Sequence, residues 1–135
     1  MDPDDVRRII SRPDCIVISD SLYAAAGKPH PRRYGAFARF LSQYVREEKR
    51  MTLPEAIRKV TSMPADFLKL EKRGRIAEGY YADIALLDWE HLRDWATYTD
   101  PVRLSEGVQT VFVNGRQAYT AGRITGASAG KLLKR

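Results

Sequence analysis

The spacing of apolar residues divides the chain into a helical first half and a strand-rich second half. In the first half, apolar side chains recur every three or four positions, which predicts a short helix over residues 3–10 and a longer one over residues 34–46. A third helix should begin after Thr52, because Thr52 and Glu55 make a capping-box pattern. A fourth helical piece is expected over residues 65–70. The side chains predicted to be buried on the second and third helices are Phe37, Phe40, Leu41, Tyr44, Val45, Leu53, Ala56, Ile57 and Val60.

One apolar run interrupts this helical spacing. Residues 15–18 are four consecutive apolar residues between Pro13 and a polar pair, which predicts a strand buried on both faces, as in parallel sheets. Asp20 then stands at the carboxyl end of the strand, where barrels and open α/β sheets place their chemistry. Asp20 is therefore a candidate site residue, and the alternative is that it only starts a turn.

The second half of the chain shows strand signals. Residues 82–87 form a second apolar run, and residues 108–119 alternate across Asn114 and Gly115. An Asn-Gly pair between extended segments indicates a type I′ hairpin, because both central residues of that turn need a positive φ. The pattern as a whole predicts an α+β fold in which helices precede a small sheet.

Composition and charge exclude several functional classes. The 135 residues suffice for one modest domain, and 23 basic against 17 acidic residues give a net charge of +6. The basic residues are interleaved with acids instead of forming a stripe, which argues against a nucleic-acid partner. No apolar run is long enough for a membrane span, and the acidic start is unlike a signal peptide, so a cytoplasmic location is expected. Cys15 is the single cysteine and is expected to be a buried thiol.

Several motifs resemble one enzyme family. Ile-Ser-Asp at 18–20, followed by His-Pro-Arg-Arg-Tyr-Gly at 30–35, is similar to the last barrel strand and the loop after it in the N-acyl-D-amino-acid deacylases, or D-aminoacylases, of the amidohydrolase superfamily. Gly-Tyr-Tyr-Ala-Asp at 79–83 and Val-Asn-Gly at 113–115 resemble motifs shared more widely by amidohydrolases. The resemblance extends over nearly the whole chain.

The resemblance implies a division of the fold. Residues 1–73 would be the end of a (β/α)8 barrel domain, comprising its last strand, the site loop and the closing helices. Residues 74–135 would be the C-terminal part of the accompanying small β domain, with a hairpin at 108–120.

The resemblance also implies a chemistry and a set of site residues. The family hydrolyses the amide bond of N-acyl-D-amino acids with a divalent metal, and a carboxylate acts as general base on the metal-activated water and returns the proton to the leaving amine. Asp20 matches that carboxylate and is a candidate contributor to the metal site. Arg32 matches the arginine that binds the substrate α-carboxylate, a task for which Arg33 is the weaker candidate. His30 would orient the loop, line the substrate pocket or be purely structural. Ser21 stands where the family usually has glycine, which puts the loop that positions the base in question.

The residues that are absent qualify this interpretation. A catalytic zinc usually has three protein ligands, but the chain offers only His30 and His91 and has no His-x-His pair. Zinc would then be a cofactor of the full-length family, and none is expected on this chain alone. A barrel needs eight strands, and the pattern supplies one. The sequence therefore predicts the C-terminal portion of a deacylase, inactive in isolation, whose partner is an N-terminal barrel portion. The alternative is a non-enzymatic remnant domain that forms a homo-oligomer or binds another chain through an exposed strand edge.

Overall fold

The computed structural model describes residues 2–21 and 28–133. In the described part of the chain, helical segments precede a small antiparallel sheet. The helical segments are α1 (Pro3–Ile10), α2 (Arg32–Arg39), a π-helix (Phe40–Glu47), α3 (Leu53–Val60) and α4 (Ser62–Phe67). The strands are β1 (Ile84–Leu87), β2 (Val108–Val113), β3 (Arg116–Thr120) and β4 (Arg123–Ile124). The predicted α+β character is confirmed. No helix within these described ranges has the length and apolar character needed to cross a membrane.

Two helices begin where local sequence signals place them. The side chain of Asp2 accepts a hydrogen bond from the Asp4 amide at the start of α1. At α3, the Thr52 hydroxyl accepts from the Glu55 amide and the Glu55 carboxylate accepts from the Thr52 amide, so both halves of the capping box are present. Each cap satisfies amides that the first helical turn leaves without partners. The predicted start of α3 is confirmed.

The long helix predicted over residues 34–46 forms as two joined segments. It begins two residues earlier than predicted, as α2, and continues from Phe40 as a π-helix in which the Glu48 amide donates to the Gln43 carbonyl at 2.8 Å. A π-helix widens each turn and is uncommon, which is why helical spacing alone did not indicate it. Leu41 and Val45 are buried as predicted, whereas Phe37 is 45% exposed.

The sheet is antiparallel and its strands follow one another in chain order. Strands β2 and β3 form the predicted hairpin, and Asn114 and Gly115 both have positive φ angles, of 49° and 78°. This is the backbone conformation that the Asn-Gly signal predicts. Strand β1 starts two residues later than predicted, and the two-residue strand β4 was not predicted.

The core joins the helices to the sheet. Phe40, Leu41, Val45 and Ala56 cluster with Leu92, which lies on the connection between β1 and β2, and sheet residues including Val108 pack against this cluster. These contacts cross the boundary predicted between residues 73 and 74, and the division into domains remains a prediction.

The predicted buried face of α3 is partly wrong. Ala56 is buried and Val60 is half-buried, but Leu53 and Ile57 are exposed. Lys59 is buried instead. The apolar face extends beyond the area that the described part of the chain covers, and Ile57 lies in the wall of an open groove.

The strand predicted over residues 15–18 is also wrong for the described structure. These residues are not assigned to any strand, and Ile18 is 67% exposed. A strand forms only when a neighbouring strand pairs with its backbone hydrogen-bonding groups. An apolar run predicts burial but does not identify the segment that would pair with it. Residues 22–27, which belong to the predicted site loop, lie outside the described residues.

Candidate active site

The structure brings Asp20 and Arg32 together. Arg32 is the first residue of α2, and its Nη2 lies 3.2 Å from Oδ2 of Asp20, at the end of residues 15–20, which belong to no helix or strand. Asp20 has a φ of 45°, in the left-handed region that aspartate tolerates better than most residues. The Asp20 side chain is 67% exposed and the Arg32 side chain is 43% exposed, so their contact leaves both groups accessible to a third partner.

His30 links the start of α2 to a distant loop. Its Nδ1 accepts a hydrogen bond from the Arg32 amide at 3.1 Å, and its Nε2 lies 3.2 Å from the hydroxyl of Tyr98. Because Nδ1 acts as an acceptor, we assign the proton of the neutral ring to Nε2, which then donates to Tyr98. The two rings also meet edge to face, with their centroids 5.1 Å apart. These contacts fit both the orienting and the purely structural alternative for His30, and its role stays a prediction.

The contact between this loop and the site segment is reinforced at a second point. Lys28 Nζ donates to the Thr99 carbonyl at 3.2 Å. Spacing gave no sign that Tyr98 would approach His30, because 68 residues separate them.

A large apolar groove opens beside the site. Its volume is about 1080 Å³, and it lies between the helical layer and the sheet. Arg32 and Arg33 line it together with Ser19. Its apolar walls include Phe37, Leu41, Ile57, Val60, Leu87, Leu104, Val108 and Val111.

An ion pair shapes the electrostatics of the groove lining. The guanidinium of Arg75, which lines the groove, donates two hydrogen bonds to the Asp66 carboxylate, at 2.8 and 2.6 Å. These hydrogen bonds lower the pKa of Asp66 below its ordinary value and raise that of Arg75. Both groups therefore stay charged over the working range of most enzymes.

The described residues do not form a metal site. Over residues 2–21 and 28–133, no three His, Cys, Asp or Glu side chains converge in a way that could hold a metal ion. His91, the second histidine of the sequence, instead contacts the Asp88 carboxylate through Nδ1 at 2.9 Å, in the turn after β1. A zinc centre of the type expected for the full-length family would need ligands beyond these residues.

Comparison with known proteins identifies the family. A model described as "Amidohydrolase family" matches residues 4–119, which is most of the chain. The chain belongs to the amidohydrolase family. The N-acyl-D-aspartate deacylase of Alcaligenes xylosoxydans xylosoxydans is 39% identical over 133 residues, which are 98% of this chain and 26% of that protein. The predicted resemblance to the deacylases is thereby confirmed.

Solved structures of deacylases show the same fold. A crystal structure of D-aminoacylase superimposes with a TM-score of 0.96 at 36% identity, and the match covers 100% of this chain and 28% of that one. An N-acyl-D-glutamate deacylase from Bordetella bronchiseptica, solved with zinc and a phosphonate inhibitor that mimics the tetrahedral intermediate, gives a TM-score of 0.86 at 38% identity over 91% of this chain and 26% of its own. This amidohydrolase chain therefore spans about a quarter of the length of these relatives.

Proposed function

We propose that the chain supplies the general base and a substrate-binding arginine to a metal-dependent deacylase of N-acyl-D-amino acids. The observation that carries the proposal is the contact between Asp20 and Arg32, since Arg32 also lines the groove. Similarity to deacylases over the whole chain supports it. The remaining three-quarters of such an enzyme would be an N-terminal portion that completes the barrel.

Each residue has a role that suits its chemistry. The Asp20 carboxylate accepts a proton from the attacking water and returns it to the leaving amine, a role that demands an accessible carboxylate. Arg32 binds the substrate α-carboxylate through two parallel hydrogen bonds, which the planar guanidinium is shaped to make. A substrate carboxylate that reaches Arg32 replaces Asp20 as its partner and releases Asp20 for proton transfer. His30 holds the first turn of α2, which carries Arg32.

Zinc held by the N-terminal portion would supply an activated water and polarise the scissile carbonyl. The described residues of this chain offer no ligand set for it. The chain alone therefore lacks the largest contributions to lowering the barrier and should not turn over N-acyl-D-amino acids, even with added zinc.

A fusion enzyme tests the proposal. The chain would replace the matching quarter of the Alcaligenes N-acyl-D-aspartate deacylase, and release of D-aspartate from N-acetyl-D-aspartate would be measured with zinc present. We expect the fusion to be active and the isolated chain to be inactive. Asp20→Asn should lower kcat by about 10²–10⁴-fold, the usual contribution of a general base. Arg32→Ala should mainly raise KM, by about 10–100-fold, because it removes a charged hydrogen-bond partner.

Asp5→Asn is the matched control, because Asp5 pairs with Arg8 on the surface of α1 and should leave both constants unchanged. A folded fusion that shows no activity, or that keeps full activity in Asp20→Asn, would refute the proposed function. Turnover by the isolated chain that is lost in Asp20→Asn would show that the chain needs no completing portion.

The groove favours one alternative, a non-enzymatic domain that self-associates. Leu104 and Ile76 both line the groove and are 68% and 87% exposed, respectively. Exposed apolar surface of this kind marks interaction sites. Analytical ultracentrifugation of the chain would test this, with Leu104→Asp as the variant. A concentration-dependent dimer that Leu104→Asp dissociates supports the alternative, whereas a monomer at high concentration excludes it.

A further inference from the structure

The stretch that carries Asp20 is attached to α3. The Val17 amide donates to the Lys59 carbonyl at 3.4 Å, and the Arg58 side chain donates to the Pro13 carbonyl at 2.9 Å. Both contacts involve residues that precede Asp20, and both are made by neighbouring residues of α3, Arg58 and Lys59. The position of the Asp20 carboxylate therefore depends on α3 as well as on Arg32.

The Lys59 side chain makes a third and stronger attachment. Lys59 is 2% exposed, and its Nζ donates to the carbonyls of Ile10 at 2.9 Å, of Cys15 at 3.2 Å and of Arg12. An ammonium group has three N–H donors, so these carbonyls use all of them. The three acceptors belong to the end of α1 and to the turn that leads into the Asp20 stretch.

The chemistry of the acceptors explains why a charged group is tolerated there. Carbonyls at a helix C-terminus lack intrahelical partners and carry the negative end of the helix dipole, so the Ile10 carbonyl favours a cation. Burial lowers the pKa of Lys59, and a buried ammonium persists only when its hydrogen bonds are satisfied. A residue that only filled space on α3 would have been apolar, as Ala56 is on the preceding turn.

We propose that Lys59 is a positioning residue for Asp20. Its ammonium fixes the turn that leads into residues 15–20, and its main-chain carbonyl fixes the middle of those residues at Val17. Together they set where Asp20 emerges beside Arg32. This rests on the proposed function, in which Asp20 is the general base. The sequence showed only a lysine at the spacing of Ala56 and Val60, which were predicted to be buried, and nothing local pointed to carbonyls more than 40 residues away.

The test uses Lys59→Met in the active fusion enzyme, because methionine keeps the apolar stem and removes the donors. We expect kcat for N-acetyl-D-aspartate to fall by at least about tenfold, since misplacing a catalytic group by about 1 Å can cost 10²-fold, while KM changes less than about threefold. Lys59→Gln, which keeps donors on a shorter side chain, should recover part of kcat. Lys131→Met, at an exposed lysine, is the control and should match the wild type.

All rates are measured per folded molecule, below the unfolding temperature of each variant. If Lys59→Met keeps the wild-type kcat once it is folded, Lys59 only stabilises the fold and the inference is overturned. Should Lys59→Met fail to fold, Lys59→Gln decides the question by the same kcat criterion.

A second measurement separates this inference from the proposed function. If the wild-type fusion is inactive, the proposed function fails, but hydrogen exchange on the 135-residue chain still tests the attachment. Lys59→Met should then speed exchange of the amides in residues 15–20 and leave the β2–β3 hairpin unchanged. Equal exchange in residues 15–20 of the wild type and the variant would overturn the attachment itself.

Discussion

Gly35 on α2 offers a sharp test of the packing beside the site. Replacing glycine by alanine inside a helix normally stabilises a protein by about 0.5–1 kcal/mol. At Gly35 the added β-carbon would lie closer than 3.0 Å to the carboxylate carbon and both oxygens of Asp94, a distance at which one of the two groups must move. We therefore expect Gly35→Ala to destabilise the chain.

Asp94 cannot move cheaply. Its side chain is 5% exposed, and it accepts hydrogen bonds from Arg39 Nε and from the Ala96 amide, both at 2.8 Å. Overpacking costs about 1–3 kcal/mol, and losing a hydrogen bond to a charged group costs about 1.5–3 kcal/mol. After the helix-propensity gain is subtracted, the net loss is about 1.5–5.5 kcal/mol. At roughly 3–5 °C per kcal/mol for a chain of this size, the midpoint should fall by about 5–28 °C.

Thermal unfolding followed by circular dichroism measures this loss. Gly130→Ala is the matched control, because a β-carbon there meets nothing within 4 Å, and its midpoint should be nearly unchanged. The double variant Gly35→Ala with Asp94→Ala should be more stable than the sum of the two single effects predicts, because the second change removes the obstacle. An unchanged or raised midpoint in Gly35→Ala, or an additive double variant, would refute the reasoning.

Three further predictions concern stability, each measured by denaturant unfolding. Leu92→Ala should cost about 2–5 kcal/mol because Leu92 is 1% exposed, whereas Leu104→Ala at an exposed site should cost less than about 0.5 kcal/mol. Thr52→Ala should cost about 1 kcal/mol through the lost cap, and no loss would contradict the cap's role. The hydrogen bonds from Arg7 hold the pKa of Glu48 at about 2, below its usual 4.5. Stability from Glu48 is therefore present above pH 4.5 and lost as the pH falls towards 2, and Glu48→Gln should flatten that dependence.

Local signals predicted the parts of the fold that are determined locally. The capping box at Thr52 and the Asn-Gly hairpin at 114–115 each depend on two or three neighbouring residues, and both form as predicted. Residues 15–18 show the limit of this reasoning, because an apolar run indicates burial but not the backbone that would pair with it. The prediction that Ile57 is buried failed for the same reason, since Ile57 lies in the groove wall and is 38% exposed.

The candidate site was predictable only in part. The resemblance of motifs indicated Asp20 and Arg32 as site residues, but the apolar pattern does not encode their approach to 3.2 Å. Lys59 and Tyr98 escaped prediction because each meets its partners across more than 40 residues of sequence. The reason for glycine at position 35 lies likewise in Asp94, on a different part of the chain.

The core shared by the helices and the sheet constrains how such chains can be recombined. Phe40 and Ala56 pack in one cluster with Leu92, so a crossover between residues 73 and 74 would pack apolar faces from two different parents against each other. Exchanging the sheet alone between relatives should therefore give less stable products unless Leu92 and its helical contacts are exchanged together. The helices and the sheet would then be inherited as one block, whatever domain names the two halves receive.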